Sequence, residues 1–173
     1  MIQLRRAFVL GFSILILTAL SGISVADEHT IVRSPSGTTT TIILIRHADR
    51  NMFSKNLNEA GRARAAALPA AVAKFDIQAI YSPDKKRNIE TAKPLARLKG
   101  IKIQVIKDSQ VAARLVNENP GKTVLWVGNS ANLEEIYRDL GGEGRAPLSY
   151  GDLYILKVPD KGETEVIKRH FGS

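Results

Sequence analysis

Thr41-Ile42-Ile43-Leu44-Ile45-Arg46-His47-Ala48-Asp49 sets four consecutive large aliphatic residues directly against a cluster of charge. A short apolar run rich in β-branched residues reads as a strand buried on both faces, the kind found inside a parallel sheet. Its polar end then lies at the carboxyl edge of the sheet, where ligands of open α/β folds bind. The pattern recurs once, where the apolar stretch 123–127 runs into Gly128-Asn129-Ser130.

Outward from these two stretches the chain alternates. Further strands are predicted over 78–81, 101–106 and 153–158. Between them, apolar residues at helical spacing predict helices: Ala65, Leu68, Val72 and Phe75 within 57–75, and Ile89, Ala92, Leu95 and Ala96 within 85–98. A shorter helix is expected over 110–117 and another over 132–140. Strand and helix in turn are the mark of an α/β fold with a largely parallel sheet. No internal repeat is evident. One domain over 41–173 suits the length of 173 residues.

The amino end reads differently. Arg5 and Arg6 precede an apolar stretch from Ala7, and the small residues Ser24 and Ala26 stand where a signal peptidase would cut. Residues 1–26 are therefore expected to be a signal peptide, with export to the periplasm; an uncleaved membrane anchor is the alternative, since the apolar run approaches the roughly 20 residues that span a bilayer. Residues 27–40, polar and rich in Ser, Thr and Gly, are expected to be a flexible lead-in.

Cleavage after Ala26 takes two of the 25 Lys+Arg and none of the 17 Asp+Glu, so the net charge falls from +8 to +6. A basic surface favours anionic partners in general. There is no Cys, hence no disulfide framework, and three scattered His make no zinc site, so neither a metal nor any other cofactor is expected. Gly121-Lys122-Thr123 imitates the end of a phosphate-binding loop, but Val116 stands where its first glycine is required and the tripeptide precedes a strand.

Four segments carry a family resemblance. Leu44-Ile45-Arg46-His47-Ala48-Asp49 resembles the Arg-His-Gly/Ala signature of the histidine phosphatase superfamily (phosphoglycerate mutase-like). Leu57-Asn58-Glu59-Ala60-Gly61 is similar to its Leu-Thr-x-x-Gly helix opening. Tyr81-Ser82-Pro83-Asp84-Lys85-Lys86-Arg87, with Thr91-Ala92, resembles its Ser-Ser/Pro-x-x-x-Arg…Thr-Ala segment. Val124-Leu125-Trp126-Val127-Gly128-Asn129-Ser130 resembles its apolar strand ending in Gly-His-Ser. The four occur in the family's order, and the resemblance implies a three-layer α/β/α sandwich around a mostly parallel sheet.

The resemblance also implies a chemistry. A histidine attacks a phosphoryl group, and water later hydrolyses the phosphohistidine. His47 would be the nucleophile, and Arg46 and Arg87 the phosphate clamp, a role suited to the guanidinium fork. Asn129 departs from the family: it stands where relatives carry a second histidine, and it offers a neutral hydrogen bond but no positive charge. His29 and His170, read as lead-in and tail, do not replace it. Asp49 is the first candidate for the general acid, with helix capping or pairing to an arginine as its other reading; Asp108 and Glu134 are more distant candidates. Gly61 and Thr91-Ala92 are expected to pack helices, and 141–147 to be a mobile loop at the pocket mouth.

The expected partner is a phosphorylated small molecule or envelope component, with no nucleic acid and no stable membrane insertion once the signal is removed. Two functions fit. One is a phosphomonoesterase working through phospho-His47. The other is a catalytically inactive relative whose Arg46, His47 and Arg87 still bind phosphate groups, and Asn129 keeps that alternative open.

Overall fold

The computed structural model describes residues 30–107 and 109–172. The expected signal peptide, His29 and Asp108 lie outside the described residues. Chain order is β1 (Thr39–Arg46), α1 (Glu59–Ala71), β2 (Ile77–Ser82), α2 (Lys86–Lys99), β3 (Ile103–Val105), α3 (Val111–Asn117), β4 (Thr123–Gly128), α4 (Ser130–Asp139), β5 (Asp152–Pro159) and β6 (Glu165–His170).

The six strands form one sheet in the order β3-β2-β4-β1-β5-β6. The pairings β2·β3, β2·β4 and β1·β4 are parallel, while β5 and β6 add on antiparallel. Strand pleating sends alternate side chains to opposite faces. In β1, Ile42 and Leu44 join Val124 and Trp126 of β4 beneath Leu115, Leu133, Ile136 and Tyr137 of α3 and α4. Ile43 and Ile45 join Leu125 and Val127 on the other face, beneath Leu68 of α1 and Ala92 and Leu95 of α2. Helices on both faces make the expected α/β/α sandwich, and they explain why β1 and β4 read as unbroken apolar runs.

Three expectations are corrected. The lead-in is tied down before the first strand: the Val32 N–H donates to the Asp139 carbonyl at 2.7 Å. Buried Ser34 donates to the Val158 carbonyl at 2.6 Å and bonds Thr40 Oγ1 at 2.9 Å. β1 accordingly begins at Thr39. β6 was not expected at all: its sequence Glu-Val-Ile-Lys-Arg-His is mostly exposed at the sheet edge, where charge is tolerated and no apolar run forms. His170 therefore sits on a strand, across from Asp152, and not in a tail. Finally, 141–147 does not stand clear of the protein, because Ala146 and Pro147 are buried. Among the described residues no helix is long and apolar enough to cross a membrane.

Candidate active site

β1 and β4 lie side by side at the middle of the sheet, with Arg46 opposite Gly128. The ladder runs one residue further, the His47 N–H donating to the Gly128 carbonyl at 2.8 Å. His47 is thus fixed by sheet hydrogen bonding at the carboxyl edge that the sequence marks as the ligand side. The turn beyond it is held from two directions. The Ala48 N–H donates to Thr91 Oγ1 at 2.9 Å, and that hydroxyl donates to the Arg87 carbonyl at 2.8 Å. From α1, the Asn58 N–H donates to the Asp49 carbonyl at 3.1 Å, and a Cβ on Gly61 would overlap that same oxygen. The Leu-x-x-x-Gly and Arg…Thr-Ala spacings are therefore devices that hold the His47 turn.

The His47 imidazole is 2% exposed, with Nδ1 at 2.8 Å from the Ala48 carbonyl oxygen. A carbonyl only accepts, so Nδ1 carries the proton and Nε2 keeps its lone pair. Burial lowers the His47 pKa from 6.5 to about 4; the Ala48 carbonyl opposes that shift, and the charges of Arg87, Arg46 and Arg50 add to it. At neutral pH the ring is uncharged, the state a nucleophilic imidazole needs.

Three guanidinium groups surround it. Arg46 Nη1 donates to the Leu148 carbonyl at 2.7 Å, and its guanidinium lies 4.4 Å from the centre of the Tyr150 ring. Arg50 uses Nη1 on the Asn51 and Ser54 carbonyls, both at 3.2 Å. Arg87 comes from the first turn of α2, and burial, then the charge of Arg50, lowers its pKa. The Nε of all three is buried and has no hydrogen-bond partner among the described residues. Buried donors on guanidinium groups whose charges act on a neutral imidazole can serve an oxyanion, which would satisfy them and neutralise their mutual repulsion.

The structure thus brings together His47, Arg46 and Arg87, and adds two residues that the sequence reading missed. Arg50 lies just past the Arg-His-Ala-Asp motif, three residues beyond His47, and its charge there was the signal the sequence offered. Tyr150 packs against both His47, its ring tilted by 52° at 5.7 Å between centres, and the Arg46 guanidinium.

Asp49 is paired with an arginine: its Oδ2 meets Arg64 Nε at 2.6 Å, and Arg64 also donates to the Phe171 carbonyl at 2.9 Å. The carboxylate is bound into a tie between the His47 turn, α1 and the end of the chain, the second of its two readings. Asn129 caps α4, Oδ1 accepting the Ala131 N–H at 3.0 Å, which leaves its amide N–H groups to donate elsewhere. With Arg87 it lines a cavity of about 540 Å³ that also takes in Trp126, Lys107, Asp84 and Glu135. His47 and Arg46 are not in that lining; Arg87 joins the cavity to the cationic cluster. Glu134 is exposed and outside the cavity, whereas its neighbour Glu135 faces it. His170 lies 3.8 Å from Asp152, on the β6 edge. Among the described residues no cluster of His, Cys, Asp or Glu could hold a metal ion.

A neutral, tautomer-fixed histidine among arginines lies at the carboxyl edge of this sheet, an arrangement that can hold an oxyanion. Residues 42–110 match the model of the histidine phosphatase superfamily (branch 1).

Solved structures share the fold. The protein histidine phosphatase SixA in complex with tungstate is 13% identical, with a TM-score of 0.59 over 75% of this chain and 96% of that one. A chain from Agrobacterium tumefaciens assigned as a phosphohistidine phosphatase SixA is 25% identical, with a TM-score of 0.56 over 78% and 97%. A mycobacterial glucosyl-3-phosphoglycerate phosphatase with inorganic phosphate is 14% identical, with a TM-score of 0.54 over 77% and 97%. No curated protein matches the sequence.

Proposed function

We propose that this protein is a phosphatase that hydrolyses a phosphate monoester through a phosphohistidine on His47. The observation that carries the reading is the His47 ring itself: Nδ1 is committed to the Ala48 carbonyl, so Nε2 is the free nucleophile, and Arg46, Arg50 and Arg87, whose charges act on the ring, each keep a buried Nε without a partner among the described residues. Nε2 attacks phosphorus as the bond to the leaving oxygen breaks, and that oxygen takes up a proton. Water then attacks phosphorus, the P–N bond breaks, and inorganic phosphate leaves with His47 neutral again. The arginines hold the equatorial oxygens throughout and stabilise the charge that builds there.

Asp49 does not serve as the general acid in this scheme, since Arg64 holds its carboxylate. Asp84 and Glu135, which line the cavity that Arg87 and Asn129 share, are the carboxylates this scheme takes as proton donors to the leaving group. Arg50 supplies beside the phosphoryl group the positive charge that Asn129 lacks. The substrate is a phosphorylated small molecule or envelope component. The tungstate and phosphate in complex with two fold relatives support an oxyanion as the bound group, and the SixA relatives add protein phosphohistidine as a substrate to include in the test. The leader alone supports export to the periplasm as the place of action.

The second reading, a phosphate-binding module without turnover, is favoured by Asn129 alone, whose Oδ1 is engaged as a helix cap. A chromogenic phosphate ester separates the two. Turnover by the wild type that His47→Ala abolishes supports the phosphatase. No turnover above His47→Ala, with a gain in Asn129→His, supports the binding module.

A further inference from the structure

The loop that leaves the His47 turn carries Met52 and Phe53 outward, 81% and 90% exposed. Phe53 also has φ of +64°, a left-handed conformation that no other described non-glycine residue adopts and that an aromatic side chain rarely takes. The tip is pinned in this shape. The Ser54 N–H donates to the Asn51 carbonyl at 3.0 Å, Arg50 Nη1 bridges the Asn51 and Ser54 carbonyls, and Asn58 Nδ2 donates to Asn51 Oδ1 at 3.2 Å. The left-handed backbone at Phe53 carries a strain, and Met52 and Phe53 gain no burial from the folded chain. Strain held by surrounding bonds is a mark of functional sites, and adjacent exposed apolar residues are a mark of contact surfaces.

The surroundings indicate what makes the contact. Arg50 and Lys55 flank the tip in sequence. At the far end of the same loop, Asn56 and Leu57 form one wall of a cleft of about 460 Å³ that Arg62, Lys86, Lys93 and Arg97 line, with Ala65 and Pro94. The carboxylate in that lining, Glu90, is already engaged, its Oε2 accepting the Leu57 N–H at 2.9 Å. An apolar tip beside a cationic cleft is the arrangement by which proteins rest on anionic bilayers, side chains in the acyl boundary and cations on the headgroups. Two side chains without a groove bury too little area for a stable protein interface.

We propose that the 51–57 loop and the cleft beside it dock this protein on an anionic lipid surface. Arg50 belongs both to the loop and to the cationic cluster around His47, so docking turns the candidate active site toward the membrane face. The inference does not depend on turnover at His47.

The test reads the tip directly. Phe53→Trp in the full chain is mixed with vesicles of phosphatidylglycerol and phosphatidylcholine, or of phosphatidylcholine alone, carrying bromine on the acyl chains. Trp126 is fully buried and its signal is subtracted from the wild type. Met52→Trp gives the same reading should the strained position reject indole. The expected result is a blue shift and quenching on the anionic vesicles and little change on the zwitterionic ones. Lys86→Gln and Lys93→Gln should each weaken the tip's partitioning roughly fivefold. A tip indole that stays water-like on anionic vesicles, or that is quenched equally on both kinds, would overturn the proposal.

Discussion

Thr91 Oγ1 accepts the Ala48 N–H at 2.9 Å and passes its own hydrogen to the Arg87 carbonyl, so a single hydroxyl locks the turn of the nucleophile to the helix of the clamp. Replacing Thr91 with Val keeps the shape and leaves a buried N–H without an acceptor, a loss of about 1–3 kcal/mol. Urea unfolding should register that loss, and kcat/KM on a chromogenic ester should fall with it. Unchanged stability and turnover would show that the lock is not needed.

Arg50 is expected to contribute charge at the phosphoryl group. Arg50→Met should lower kcat about 100-fold to 1,000-fold, the usual effect of removing one stabiliser of transition-state charge. The same change removes a cation that depresses the His47 pKa, so an NMR titration should find that pKa above the wild-type value. A variant with normal kcat would take Arg50 out of the site.

The pH profile follows from the buried imidazole. With a pKa of about 4 in the folded state against 6.5 unfolded, His47 limits activity only below about pH 5, so kcat/KM should show no acid limb near 6.5. Stability responds as well. Between pH 6.5 and 4 the unfolded chain holds the proton and the folded chain does not. Stability therefore falls as pH drops through that window, by roughly 3 kcal/mol in total. His47→Gln should flatten this part of the stability curve; a slope equal to that of the wild type would contradict the burial argument.

Gly61→Ala tests the packing of α1 against the turn. The added Cβ would overlap the Asp49 carbonyl oxygen, backbone that cannot swing aside. Destabilisation of about 1–3 kcal/mol is expected by thermal melting, although alanine is the better helix former. A neutral or stabilising result would mean that the turn moves freely.

The strands that frame the site were legible because both faces are buried. Ile42 to Ile45 and Val124 to Val127 had to be apolar on either side of the pleat, and the polar residues after them had nowhere to be but the sheet edge. β6 escaped because an edge strand with one wet face keeps Lys168, Arg169 and His170 in solvent, and its sequence carries no period-two apolar signal. His47, Arg46 and Arg87 stood out through motif spacing. Tyr150 did not, because it lies 103 residues from His47 and sequence spacing does not report where a turn brings it; Arg50 lies three residues past His47 but outside the motif. Asp49 could be read two ways, and only the position of Arg64 decides between them.

The account rests on Nε2 of His47 as the atom that takes the phosphoryl group. The most direct measurement is rapid alkaline quenching during turnover of a phosphate ester, followed by mass spectrometry and phosphorus NMR of the peptide containing residue 47. The account predicts phosphate on His47, bonded through Nε2, in wild type and in Asn129→His. Turnover that proceeds without phosphohistidine at this position, or that survives His47→Ala, would contradict it.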